Sequence, residues 1–167
     1  MEELVQISKI EFQKFKKVDL ENVGDLAEYV KKFYKDNPGC TIGIGSDSIQ
    51  HKKWTIYAVM IALFYPKIGG TGRGAHLIYL KKKFTTRFSL WTRLWNEVEM
   101  SIDVAKYLKN NINLENIEVH IDINPDEEYK SNMAFQASIG YIKSLEFIPV
   151  AKPNSWVATC AADMIIK

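Results

Sequence analysis

Cysteine is scarce in this chain, with two residues among 167, too few for a disulfide scaffold and in keeping with a reducing cytoplasm. No run of about 18 apolar residues occurs, so no membrane-spanning helix is expected. The opening Met1-Glu2-Glu3-Leu4 has no basic region followed by an apolar stretch, and no secretory signal is read there. There is no internal repeat and no low-complexity segment. The three histidines are scattered, which argues against a zinc-type ligand set. The glycine-rich stretch over 66–74 lacks Gly-Lys-Ser/Thr and does not lead into a helix, so it reads as a hairpin tip and not as a phosphate loop. Excess charge is also missing: the net charge is +2, weak evidence about partners.

What is present is an ordinary globular composition, 47% apolar and 25% charged, in a chain long enough for one well-formed core. A single domain over 1–167 is expected, with an N-terminal arm or strand and helix over 1–39 and a core over 40–167. Residues 1–19 read as a short strand or arm, and helical spacing from Leu20 to Phe33 predicts a helix over 19–36, stopped by Asn37-Pro38-Gly39. Strands are predicted over 40–49, 54–65 and 76–84, forming an antiparallel meander. A long helix over 89–110, a strand over 116–124, a helix over 130–145, a short strand over 147–150 and a final helix over 156–167 follow. The core order β-β-β-α-β-α-β-α predicts an α/β fold with a mixed five-stranded sheet and helices on both faces.

Within the first core strand, Ile42-Gly43-Ile44-Gly45-Ser46-Asp47-Ser48 places a carboxylate where burial is costly unless it is paired or bound to a cation. Alternation puts Gly43, Gly45 and Asp47 on one face, and the two glycines leave room for another element. In the strand over 116–124, His120, Asp122 and Asn124 share a face, so neighbouring strands would aim Asp47 and Asp122 into one crevice at the strand ends. Taken alone, Asp122 reads equally well as a turn or cap residue. Asp163 lies in the small-residue segment Thr159-Cys160-Ala161-Ala162-Asp163, where approach to the sheet and plain solvent exposure carry similar weight. Glu97 and Glu99 both flank the apolar stripe of the long helix, and periodicity does not choose between them. A Cys40–Cys160 disulfide would count against this arrangement, since Cys40 lies about 23 Å along an extended strand from Asp47.

Gly45-Ser46-Asp47-Ser48-Ile49-Gln50, His120-Ile121-Asp122-Ile123-Asn124-Pro125, Lys130-Ser131-Asn132 and Ala161-Ala162-Asp163 resemble the YkuK-type group of ribonuclease H-like proteins. The similarity covers about 19–167. It implies a ribonuclease H-like fold and matches Asp47, Asp122 and Asp163 to the superfamily's acidic positions. Glu97 is the best match for the helix position, with Glu99 as backup. Unlike the best-known cellular ribonucleases H, the chain has no obvious basic protrusion for gripping a hybrid duplex.

Carboxylates without cysteine select hard cations, so Mg²⁺ or Mn²⁺ is expected. The resemblance implies a two-metal phosphodiester hydrolase acting on RNA, RNA/DNA hybrid or structured DNA, with Asp47 as the bridging ligand and Glu97, Asp122 and Asp163 completing the set. The alternative is a nucleic-acid-binding module of the same fold that cuts weakly or not at all. Ser48, Gln50, Asn124, Lys130, Asn132 and Lys152 are candidate substrate contacts at the strand ends. His120 could assist proton transfer, although a buried histidine satisfied by the backbone is the commoner case. Lys81-Lys82-Lys83 and Arg87 read by default as a charged strand end and, more sharply, as a nucleic-acid track. Nucleic acid is the expected partner, with no membrane and no protein partner.

Overall fold

A computed structural model describes residues 10–67, 74–126, 128 and 132–167. Six strands form one sheet: β1 (Lys16–Lys17), β2 (Thr41–Gln50), β3 (Thr55–Phe64), β4 (Ala75–Phe84), β5 (Glu118–His120) and β6 (Ile148–Val150). Their order is β1-β4-β3-β2-β5-β6. β2, β3 and β4 pair antiparallel, as the short links between apolar runs require. β5 joins β2, and β6 joins β5, in parallel. Parallel neighbours need crossovers, supplied by α2 (Leu90–Ile112) and α3 (Asn132–Ser144).

The helices α1 (Leu26–Asp36), α2 and α3 bury Leu26, Val30, Met100, Ile102, Val104 and Ile142 against one face of the sheet. The C-terminal helix covers the other face with Val157, Ala161 and Ala162 on Met60, Ala62 and Tyr79. It begins as a π-helical stretch, Val157–Ala162, and continues as α4 (Asp163–Ile166). Among the described residues no helix is long and apolar enough to cross a membrane.

The mixed α/β sheet with helices on both faces agrees with the sequence reading, but there are six strands where five were expected. The sixth is β1, within the expected arm, where Lys16 and Lys17 pair with Tyr79 and Ile78. The first helix starts at Leu26 and not at residue 19. Asp19 and Asn22 accept bonds from the backbone N–H of Glu21 and Gly24, and Leu20 and Gly24 both take φ of 74°. Those local bonds compete with helix, and Asp25 then caps α1 by accepting from Glu28 N at 2.9 Å. The strand expected over 116–124 is short. Ile121 N still bonds Val150 O, but β5 ends at His120 and leaves Asp122 beyond the ladder. The helix predicted from residue 130 is described from Asn132, and Lys130, Ser131 and the hairpin tip at 68–73 lie outside the described residues.

Glycine at 45 is a packing requirement. A Cβ there would lie 2.6 Å from Ala158 N, and at Gly43 one would lie 2.9 Å from His120 Nε2. Since the obstacle at Gly45 is helix backbone, Gly45→Ala is expected to lower stability by about 1–3 kcal/mol, a fall in Tm of roughly 3–10 °C. Gly140→Ala serves as the control: its Cβ would meet nothing within 4 Å. It sits in α3, where alanine is the better helix former, and a thermal scan should show it neutral or stabilised.

Candidate functional site

Asp47 sits near the C-terminal end of β2, on the face that Gly43 and Gly45 open to the C-terminal helix. Ser48 N donates to its Oδ1 at 2.8 Å. Burial, reinforced by the charges of Asp122 and Asp163, pushes its pKa up to about 6 against the opposing pull of Arg93. The other two aspartates therefore lie close enough to be felt.

The β2–β5 register explains why Asp122 is one of them. Gly43 pairs with Glu118 and Gly45 with His120, and the same two-residue step leads to Asp47 and Asp122. Asp122 Oδ1 is buried and accepts no hydrogen bond. Lys152 Nζ lies 2.5 Å from that oxygen, close enough to neutralise it but not aligned as a donor. Asp163 opens α4 and holds Lys167 Nζ at 2.7 Å, one helical turn on.

The helix glutamate reaches the site from the opposite face of the sheet. Glu97 on α2 is 7% exposed, and Ser48 Oγ donates to its Oε1 at 2.5 Å. Burial, with added repulsion from Asp47 and Asp122, holds its carboxyl well above the usual range. Glu99 points elsewhere: Tyr141 on α3 and Trp95 hydrogen-bond it, and Asp103 is its acidic neighbour. Asp47 thus feels the charges of Asp122 and Asp163, and Glu97 those of Asp47 and Asp122, whereas the acidic neighbour of Glu99 is Asp103.

The remaining candidates divide. Lys152 and Ser48 are beside these carboxylates, Lys152 as an ion pair with Asp122 and Ser48 as a hydrogen-bond donor to Glu97. Gln50 is a brace: its Oε1 accepts from Phe88 N at 2.8 Å and Thr55 Oγ1 at 3.0 Å, tying the β2–β3 turn to the start of α2. Asn124 Oδ1 accepts from Asp126 N, and Asn132 Nδ2 donates to Pro125 O, so both shape the loop after β5. His120 is buried with both ring nitrogens engaged: Nδ1 accepts from Val157 N at 3.4 Å and Nε2 meets Glu118 Oε2 at 3.0 Å. It pins the C-terminal helix to β5. Lys130 lies outside the described residues. Cys40 and Cys160 are both free thiols.

Arg93 is the residue that sequence reasoning missed. Its charge acts on both Asp47 and Glu97, and its Nε is buried without a hydrogen-bond partner. The available signal was its place one turn before Glu97 on the same helix.

The donor set is all oxygen, drawn from four elements, with one buried carboxylate oxygen lacking a donor. That chemistry fits a hard divalent cation. Among the described residues no three such side chains already converge to ligand distance, and Asp122 and Asp163 are met by lysines instead.

A mixed sheet with acidic residues on its central strand, the first crossover helix, the neighbouring strand end and the last helix defines an α/β class with a carboxylate centre. The sequence model of the family described as Ribonuclease H-like matches residues 24–167, and the chain belongs to that family. No curated protein matches the chain.

Proposed function

We propose that the protein is a metal-dependent nuclease that hydrolyses phosphodiester bonds in RNA, RNA/DNA hybrid or structured DNA. The observation that carries this reading is the burial of Asp47 and Glu97 within reach of further negative charge, Asp122 and Asp163 acting on Asp47, and Asp47 and Asp122 acting on Glu97. Such an arrangement is costly without a cation, and the family name adds nucleic acid as the substrate class.

Asp47, Glu97, Asp122 and Asp163 are the residues that would hold Mg²⁺ or Mn²⁺, which when bound supplies water activation and charge stabilisation at phosphorus. Ser48 fixes the rotamer of Glu97 through its hydroxyl. Arg93 carries an unsatisfied donor beside the carboxylates, suited to a phosphate oxygen. Lys152 would leave Asp122 to contact the backbone of the substrate.

The pairing of Asp122 with Lys152 and of Asp163 with Lys167 favours a second reading, a module that binds nucleic acid and cuts weakly or not at all. Labelled single strands, duplexes, hybrids and junctions incubated with Mg²⁺ or Mn²⁺ separate the two. Cleavage is expected, with Glu97→Gln slower by about a hundredfold or more and Glu99→Gln within about threefold of wild type. Cleavage that survives Glu97→Gln sinks the proposed site, and tight binding without cleavage on every substrate establishes the module.

A further inference from the structure

The net charge of +2 conceals an asymmetry. From Ser48 to Asn96 the sequence has nine Lys and Arg residues and not one Asp or Glu, while the other 13 basic residues share the rest of the chain with all 20 acidic ones. This stretch builds the end of β2, all of β3 and β4, and the first turns of α2. Seven of the nine, Lys52, Lys53, Lys81, Lys82, Lys83, Arg87 and Arg93, belong to segments at the end of the sheet where Gln50, Thr55 and Phe84 pair, the end nearer Asp47.

The sheet register says where it points. Asp47 pairs with Ala58, and Ala58 with Lys81, so all three share a row and a face. Lys81 lies two strand spacings from Asp47, about 10 Å. One step further along the strands, Ile49, Ile56 and Lys83 form the next row. The C-terminal helix packs on the rows of Gly43 and Gly45, whereas Ile49 and Ile56 are half-buried and Lys81 and Lys83 are exposed. Trp54 borders this open area: Lys83 Nζ stands 4.9 Å from its ring and the His51 ring is 3.6 Å away.

Lysines on an edge strand have a simpler role, which is to discourage pairing by other chains. β1 meets β4 at Ile78 and Tyr79, so Lys81 and Lys83 do lie on a segment where that role applies. It does not account for the lack of carboxylates across three elements, nor for an indole beside the lysines. A basic strip with an aromatic platform is the ordinary construction for single-stranded nucleic acid, phosphates on the cations and a base on the ring.

We propose that this open face of the sheet, carrying Lys81, Lys83 and Trp54, is a track for a single-stranded stretch of nucleic acid that leads to Asp47. Lys81 and Lys83 are about 7 Å apart along β4, matching successive phosphates of an extended strand. Lys83 leaves the Trp54 ring for a phosphate, a contact that costs little to break at an exposed position, and the freed indole receives a base. The proposal rests on the nuclease reading for the identity of the ligand.

The test uses the Asp47→Asn protein, to prevent cleavage, and fluorescence anisotropy with a labelled oligonucleotide single strand and its duplex. Lys81→Glu/Lys83→Glu is expected to weaken single-strand binding about tenfold or more, and to reduce the slope of log affinity against log salt by about 1.4, from two lost phosphate contacts. Trp54→Ala should weaken it about fivefold or more with the slope kept. Lys81→Ala/Lys83→Ala repeats the slope test without charge reversal, and Lys143→Glu, an exposed lysine on α3, should change neither quantity. Unchanged affinity and slope in the Lys81/Lys83 variants, with binding intact, overturn the track and leave the nuclease reading standing. Equal loss on duplex overturns its single-strand character. A protein that neither binds nor cuts any nucleic acid overturns the nuclease reading itself.

Discussion

Asp47→Asn is expected to lower cleavage by about a thousandfold or more and, in the same protein without metal, to raise the melting temperature. The two effects have one origin. Asp47 is half-buried and near two other aspartates, so its ionised form is disfavoured and its pKa rises to about 6. At neutral pH that shift corresponds to at most about 3 kcal/mol of destabilisation, less after solvent screening. Asparagine keeps the shape, can accept the Ser48 N–H and removes the charge. It also removes the group proposed to hold a cation, hence the expected loss of about 4 kcal/mol in transition-state stabilisation that a thousandfold represents. Turnover and thermal melting measured on one preparation check both. A variant that loses activity and also melts lower than wild type would indicate a structural role for Asp47.

The second large effect is in pH and divalent metal together. The folded chain holds the Asp47 proton more tightly than the unfolded chain, whose carboxyl has the ordinary value of 3.8. Stability from this group is therefore fully present below about pH 4 and is lost as pH rises through about 6. Glu97 acts with the same sign, since burial raises it well above its ordinary 4.5. Metal-free protein should melt progressively lower from about pH 4 upward, apart from other titrations. On the proposed reading Mg²⁺ or Mn²⁺ would bind the ionised carboxylates, so its stabilising effect should grow as pH rises from about 4 through about 6 and beyond. Melting curves with metal and with a chelator across that range test it, and a metal shift independent of pH would count against these carboxylates as ligands. Asp47→Asn should flatten both dependences.

Much of this site could be read along the chain because strand alternation is strict. Gly43, Gly45 and Asp47 must share a face, and the contact of Ala158 backbone on Gly45 is what two small residues before a carboxylate provide for. Asp122 followed from the same period, although the ladder stops before it. Glu97 and Glu99 could not be separated, because each lies about equally far from the apolar stripe. Their fates are decided by partners remote in sequence, Ser48 for one and Tyr141 for the other. The start of α1 was misplaced because apolar spacing continues through Leu20 and Val23, while the side chains of Asp19 and Asn22 had already committed the backbone to turns. Gln50 looked like a contact residue by its place at a strand end, yet its oxygen serves Phe88 N, on a segment far along the chain. Arg93 was passed over because a basic residue on a helix surface looks ordinary until the sheet brings Asp47 beside it.

The two lysines beside these carboxylates have a consequence for cation binding. Lys152 and Lys167 are tethered to the same fold as Asp122 and Asp163, so each ammonium competes for its carboxylate at a high effective concentration that dilution does not change. On the proposed metal reading, entry of a divalent ion would be an exchange of one cation for another and not the filling of a bare anionic hole. Such a site would respond to divalent ion over a threshold set by the protein itself, and substrate phosphates, by drawing Lys152 away, would lower that threshold when there is something to cut.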